Sequence, residues 1–176
     1  MTEKKWFALY TKPKHEFKAE MQLVEMGIET YLPKITKIKQ WSDRKKKIIE
    51  PLFKSYIFIF ANQADRFLSV QAKGIIKVVN FNGVPATLPN WQIENLKKLL
   101  NSSPEAFVTD LIKIGTPVKI IEGPFKGVEG IIAQCNNDEH VLGVNIDLLQ
   151  RSVIVHIPSS SVITDIEKIE NKKEVV

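Results

Sequence analysis

Pro51-Leu52-Phe53-Lys54-Ser55-Tyr56-Ile57-Phe58-Ile59-Phe60 is the stretch on which the fold turns. Its first half reads as a bend and its second half as the strongest strand in the chain. Side chains along a strand alternate between faces. Tyr56, Phe58 and Phe60 therefore share one face, and Ile57 and Ile59 share the other. Both faces are apolar, so both need cover. Far upstream, Trp6-Phe7-Ala8-Leu9-Tyr10 has the same texture and reads as a second buried strand, broken by Thr11-Lys12-Pro13-Lys14.

Between these strands, apolar spacing predicts a helix from about Lys14. Phe17, Met21 and Val24 form its stripe, widened by Ala19, Leu23 and Met26, and Gly27 sits at the C-terminal cap. Ile28–Leu32 is extended and stops at Pro33. Residues 34–50 read as a mobile β-hairpin turning near Ser42-Asp43. After Phe60 comes a short helix over Asp65–Ala72, with Phe67, Leu68 and Val70 inward. A hairpin follows at the Asn82-Gly83 turn. A last helix opens at Asn90, read as its N-cap, with Ile93, Leu96, Leu99 and Leu100 as its stripe. The order β-α-β-β-α-β-β-α gives an α/β sandwich with a mainly antiparallel sheet.

A composition break at Asn101-Ser102-Ser103-Pro104-Glu105 opens a linker, taken as 101–112. Beyond it the texture is all-β. Short strands are expected at Val118–Ile121, Gly130–Ala133, Val141–Ile146, Val153–Ile157 and Ser161–Thr164. Five short strands fit a small barrel. The fold class is thus α+β, a sandwich over 1–100 followed by a small barrel over 113–166, with a charged tail from 167 to 176.

The 176 residues are 44% hydrophobic and 26% charged, which is ordinary globular composition. The net charge of +5 divides unevenly, with +9 in residues 1–100 and −4 in residues 101–176. A basic front half suits a polyanion or an acidic protein surface, and the acidic back half excludes a uniformly basic coating protein. Cys135 alone can make neither an internal disulfide nor a multi-cysteine zinc site. His15, His140 and His156 are far apart, and no phosphate-binding glycine pattern or nucleophile elbow occurs. No metal, no cofactor and no enzymatic activity are expected. Met1-Thr2-Glu3-Lys4-Lys5 lacks the apolar stretch of a signal peptide, and Tyr56–Ala61 is far short of the roughly 20 residues of a membrane span. A cytoplasmic monomer with no membrane partner is the expectation.

Ile121-Glu122-Gly123-Pro124-Phe125-Lys126-Gly127 is the most informative motif of the back half. Gly123-Pro124 and Gly127 bracket a tight turn between strands, and Phe125 can close a barrel end. By itself, G-P-F-x-G is as readily a plain turn. Within Gly115–Val144, however, it resembles the KOW motif, and the domain before it resembles the N-terminal (NGN) domain of the NusG family of transcription elongation factors. The residues carrying that likeness are Trp6–Lys12, Tyr31-Leu32-Pro33, Glu50–Phe58 and Lys73–Val79. With the KOW-like segment, the likeness runs over about residues 5–165, its motifs in order. The P-L-F-x-x-Y-x-F wording looks closer to the specialised RfaH and UpxY paralogues, which act on selected operons, than to the housekeeping factor.

The resemblance implies a factor that binds RNA polymerase through the N-terminal domain, bridges its cleft from the clamp helices and suppresses pausing or termination. Tyr10, Tyr56 and Phe58 match the family's clamp-helix contacts, with Pro51 and Phe53 as neighbours; the alternative for Tyr56 and Phe58 is the core. Phe60 has no motif match and is read as core. Lys12 and Lys73 match basic positions facing upstream and non-template DNA, with Lys14 and His15 beside them; the alternative is solvated surface charge. The hairpin adds Lys45 and Lys46, among seven basic residues and one acid between positions 34 and 47. It could track nucleic acid or be a charged edge that avoids aggregation. Gln22 and Glu25 depart from the RfaH face that reads a recruiting DNA hairpin, and the second polymerase contact of that type is missing near Asp65–Leu68. The barrel, marked by Gly123, Pro124, Phe125 and Gly127, is implied to recruit Rho or a small-subunit ribosomal protein. Its Val- and Ile-rich segments favour a constitutive barrel. Glu50 matches the acid of the RfaH interdomain ion pair, with no arginine at Asn136–His140 to meet it. A ribosomal-type RNA-binding KOW protein is the competing reading, disfavoured by the −4 charge of the back half.

Overall fold

The alternation read in Trp6–Tyr10 and Tyr56–Phe60 is realised as two neighbouring strands inside one sheet. The computed structural model describes residues 3–41, 44–103, 106–113, 115–134, 140–157 and 163–165. The elements run β1 (Lys5–Thr11), α1 (Glu16–Glu25), β2 (Glu29–Tyr31), β3 (Lys34–Gln40), β4 (Lys45–Pro51), β5 (Tyr56–Ala61), α2 (Gln63–Ser69), β6 (Ile75–Val78), β7 (Asn80–Phe81), β8 (Val84–Pro85) and β9 (Thr87–Leu88). They continue as α3 (Asn90–Ser102), β10 (Phe107–Asp110), β11 (Thr116–Ile120), β12 (Glu129–Gln134), β13 (His140–Ile146), β14 (Arg151–Ile157) and β15 (Ile163–Asp165). The chain divides into two compact units, Met1–Asn90 and Trp91–Val176.

In the first unit the sheet order is β2-β5-β1-β6, with β9 also on β1, and every pairing is antiparallel. One face of β1 and β5 presents Phe7, Leu9, Ile57 and Ile59 to Ala19 and Leu23 of α1 and to Ala72 and Ile75, making the core. Each such aliphatic side chain removed from water contributes about 1.5–3 kcal/mol before entropy is counted. The opposite face carries Tyr10 beside Tyr56, Ala8 beside Phe58 and Trp6 beside Phe60. The Asn82-Gly83 hairpin forms as expected, with positive φ of 50° and 80° at its two turn residues.

Of the stripe expected for α1 only Ala19 and Leu23 turn inward, and α2 turns a different face inward from the one its sequence suggested. In α1 the buried residues are Glu16, Ala19 and Leu23, while Phe17, Met21, Val24 and Met26 are exposed. In α2, Phe67 and Leu68 are exposed, as is Val70 after it; Ser69 and Ala72 are buried. For α1 the reason is close approach. A Cβ on Gly74 would lie 3.2 Å from the Ala19 Cβ, so only small side chains fit where α1 crosses this backbone. The larger apolar stripe is displaced outward, where Lys34 sits over the Phe17 ring at 5.5 Å.

The lysine-rich segment forms the two-stranded β3–β4 hairpin, registered from Lys34↔Pro51 to Gln40↔Lys45. The turn itself, at Ser42-Asp43, lies outside the described residues. In the second unit six antiparallel strands run in the order β10-β14-β13-β12-β11-β15. The five expected strands are joined by β10, which falls within the stretch read as linker. Phe107–Asp110 pairs with Arg151–Ile154 of β14, and the Arg151 guanidinium donates to Asp110 at 2.7 Å. A buried network behind that edge has Ser152 Oγ donating to Asn145 Oδ1 (2.6 Å) and accepting from the Ile112 N–H (2.8 Å). The division between units falls at the start of α3, ahead of the composition break at 101. The tail from 167 and the Asn136–Glu139 turn lie outside the described residues. Among the described residues no helix is long and apolar enough to cross a membrane.

Candidate functional site

The aromatic residues selected from sequence come together on one sheet face. The Tyr10 and Tyr56 rings meet edge-on, with centroids 5.4 Å apart. Phe53 packs edge-on against Phe58 at 6.0 Å, and Tyr31 stacks on Phe58 at 6.5 Å. Trp6 and Phe60 extend the same face with a tilted contact at 5.3 Å. Exposure separates the members into two sets. Tyr10, Tyr56, Pro51, Tyr31 and Phe60 are half-buried, whereas Phe53 and Phe58 are buried. Phe53 and Phe58 therefore act as a floor, and the two tyrosines offer the accessible aromatic surface. A partner could bury the rings and bond the phenol oxygens, the combination that makes tyrosine an interface anchor.

Backbone bonds hold this patch in place. The Leu52 N–H donates to the Pro33 carbonyl at 2.8 Å, and the Tyr56 N–H to the Phe53 carbonyl at 3.3 Å. Ser55, just before Tyr56, has φ of +63°. Its carbonyl accepts from the Thr11 N–H (2.8 Å), and its own N–H donates to Oε1 of Glu16 (2.8 Å). Glu16 lies in the first turn of α1, where the helix dipole favours an anion. A buried carboxylate thus pins the residue between Phe53 and Tyr56, and sequence spacing gave no sign of it.

The basic candidates fall in two places. Lys12, Lys14 and His15 occupy the loop after β1, and Lys73 precedes β6. The Lys12 N–H donates to the Gly74 carbonyl at 2.9 Å, which brings the two segments side by side. His15 Nδ1 donates to the Pro13 carbonyl at 3.0 Å. Lys12, Lys14 and Lys73 are exposed. Lys14 also lines a cleft of about 660 Å³ shared with Phe17, Lys54 and the hairpin residues Lys37, Lys39 and Glu50. Lys45 and Lys46 lie at the far end of the hairpin and are exposed.

Glu50 is committed within its own hairpin. Lys39 Nζ lies 2.7 Å from its Oε1 and Lys37 Nζ 3.5 Å from its Oε2. The Lys39 hydrogen bond, with the charges of Lys39 and Lys37, holds the Glu50 carboxyl below its ordinary value against an opposing pull from desolvation.

In the second unit the Gly123–Gly127 segment is a tight turn. Gly123 and Gly127 have φ of +89° and +82°, which favours glycine at both. The Lys126 N–H donates to the Gly123 carbonyl (3.2 Å), and the Gly127 N–H to the Ile120 carbonyl (2.7 Å). Pro124 sits at the exposed tip, and Phe125 is buried. The polar face of α3 is tied to this region: Lys98 Nζ donates to the Gly127 carbonyl (3.3 Å). Asn95 donates to the Glu129 carbonyl (3.2 Å) and accepts from the Glu129 N–H (3.3 Å). The apolar stripe of α3 was legible, but these polar ties were not.

A protein-family model described as NusG, transcription termination factor nusG, matches residues 4–97. The chain is similar in structure to a NusG of Thermotoga maritima solved to show its domain interaction. The TM-score is 0.51 with 22% identity, over 93% of this chain and 98% of that one. It also matches an MjSpt4:Spt5 complex in conformation B, with TM-score 0.34 and 18% identity over 91% and 97% of the two chains. Conformation A of that complex matches with TM-score 0.28 and 19% identity over 91% and 98%.

Proposed function

This chain belongs to the NusG family of transcription factors, and from that premise we propose that it binds RNA polymerase through the aromatic face of its first unit and promotes elongation or antitermination at selected operons. One observation carries the proposal: Tyr10 and Tyr56, half-buried and in edge contact, stand over a Phe53–Phe58 floor within the span that the family model matches. An interface of this kind draws most of its energy from a few such anchors. No chemistry is assigned to it. The protein acts by holding polymerase in one state, not as an enzyme.

In this reading Lys12, Lys14, His15 and Lys73 form a phosphate-facing patch, and Lys45 and Lys46 extend it along the hairpin. Lysines meet phosphate without reading sequence, so this surface positions the protein on upstream or non-template DNA. The second unit serves as a KOW barrel that recruits a further partner, either Rho or a small-subunit ribosomal protein. The acidic balance of residues 101–176 supports a protein partner over ribosomal RNA.

Single-round transcription by purified bacterial RNA polymerase, with and without the protein, tests the proposal. The expected result is shorter pauses and more readthrough, lost on Tyr10→Ala/Tyr56→Ala. Unchanged elongation together with tight binding to ribosomal RNA would overturn it in favour of the ribosomal reading.

A further inference from the structure

The cleft of about 660 Å³ between the loop before α1 and the base of the β3–β4 hairpin lies wholly within the first unit. Sites for small organic molecules have volumes of about 300–1,000 Å³. Pro13 and Phe17 line this one from the α1 side, and Ile49 and Pro51 from the hairpin. By register Pro51 stands opposite Lys34, and by alternation Ile49 shares that face of the hairpin. It is the face that meets α1, since Lys34 pairs with Glu20 at 2.8 Å and lies over the Phe17 ring. Phe17 and Ile49 are 38% and 59% exposed, so apolar surface on both sides of the cleft is open to water.

Four lysines and two carboxylates border the same space. Lys37 and Lys39 share Glu50, and Glu16 accepts the Ser55 N–H. Lys14 and Lys54 are exposed and make no ion pair among the described residues. Two unneutralised ammonium groups therefore stand beside apolar walls. The backbone singles out this place as well. Among the described residues, four that are not glycine have left-handed backbone angles. Asn82 belongs to its hairpin turn, and Gln150 closes a short helical turn. The other two, Lys14 at φ of +62° and Ser55 at +63°, both line the cleft. Backbone strain of this kind gathers at binding sites.

Inorganic phosphate would meet the ammonium groups but leave the apolar walls in water. A nucleic-acid strand carries a charge at every residue, which the two carboxylates of the lining oppose. A flat protein surface does not fill a concavity of this size. One acid group on an apolar body satisfies the cations and covers the walls together.

We propose that this cleft binds a small organic carboxylate, with its acid group meeting Lys14 and Lys54 and its apolar body against Phe17 and Ile49. Ser55 lines the cleft and immediately precedes Tyr56, so the occupant sits next to the bend that presents the aromatic face. The test titrates the full chain with phenylbutyrate, with the neutral phenylbutanol and with inorganic phosphate, followed by backbone amide NMR. Phenylbutyrate shifts the Phe17, Ile49 and Ser55 signals to saturation, and the other two bind more weakly or not at all. Lys14→Ala/Lys54→Ala weakens phenylbutyrate roughly 2- to 30-fold, the loss of two exposed ion pairs, and leaves phenylbutanol unchanged. Phe17→Ala weakens both roughly 2- to 10-fold, the loss of one aromatic contact. Met21→Ala, on the same helix but outside the cleft, weakens neither. The proposal is overturned if phenylbutyrate moves none of the three signals, or if phosphate or phenylbutanol binds there as tightly. It is overturned equally if the natively folded lysine variant binds like wild type, or if Met21→Ala weakens binding as much. Binding of a blocked Asp-Phe-Asp peptide where phenylbutyrate fails would assign the cleft to an acidic protein segment and overturn the small-molecule site.

Discussion

Replacing Glu16 by alanine removes a buried acceptor from the bend that sets Tyr56. Glu16 is 5% exposed, and its Oε1 lies 2.8 Å from the Ser55 nitrogen. A hydrogen bond to a charged group contributes about 1.5–3 kcal/mol. An anion in the first turn of a helix adds about 0.3–1 kcal/mol. Together these give a loss of about 2–4 kcal/mol for Glu16→Ala. Glu16→Gln keeps an acceptor oxygen but not the charge, and should lose about half as much. Equilibrium urea unfolding followed through tryptophan emission reads this difference, since Trp6 is buried in the same unit. With a typical denaturant dependence of about 1–3 kcal/mol per molar, the alanine midpoint falls by roughly 1 M or more. Near-ultraviolet circular dichroism should change as the Tyr10–Tyr56 edge contact loosens. An alanine variant that unfolds at the wild-type midpoint would refute the claim that this carboxylate pins the bend.

Two further predictions follow from particular side chains. Because the folded Glu50 carboxyl is held below its ordinary value of 4.5, its contribution is present above about pH 4.5 and is lost as pH falls through the lower folded value. Side-chain NMR should place its midpoint below 4.5, and Lys39→Ala should move it back up; an unmoved midpoint would contradict the pairing. Because Met21 faces outward on α1, Met21→Gln should change stability by no more than about 0.5 kcal/mol, as surface substitutions do. A loss of about 2–5 kcal/mol in thermal unfolding would instead place Met21 in the core.

Strong periodicity was legible where only one reading fits it. Tyr56–Phe60 alternates with both faces apolar, and it lies inside the sheet beside β1 as that pattern demands. The Gly123–Gly127 and Asn82-Gly83 turns declared themselves because both need backbone angles that few residues take. The faces of α1 were ambiguous, since two stripes compete. Phe17, Met21 and Val24 have more apolar area, but of the expected stripe only Ala19 and Leu23 are buried, and Ala19 is the residue that lies against Gly74. Hydrophobicity suggested the whole stripe, and closeness of packing chose its smaller part. Glu16 was invisible because its partner Ser55 is remote in sequence. Phe107–Asp110 was hidden by the Ser- and Pro-rich residues before it, although its own residues suit a strand that can pair with β14. Among the site candidates, alternation set Tyr56 and Phe58 on one face and the family resemblance added Tyr10 and Phe53, and the four rings meet in pairs, Tyr10 with Tyr56 and Phe53 with Phe58. Which of them are open and which form the floor depends on tertiary packing, and no local pattern records that.

The affinity of purified RNA polymerase for the intact protein and for Tyr10→Ala/Tyr56→Ala tests the central claim most directly. Interface anchors cost about 2 kcal/mol or more when truncated, so the account predicts affinity at least roughly 30-fold weaker, with the far-ultraviolet circular dichroism of the variant unchanged. A natively folded variant that binds polymerase as tightly as wild type would contradict it.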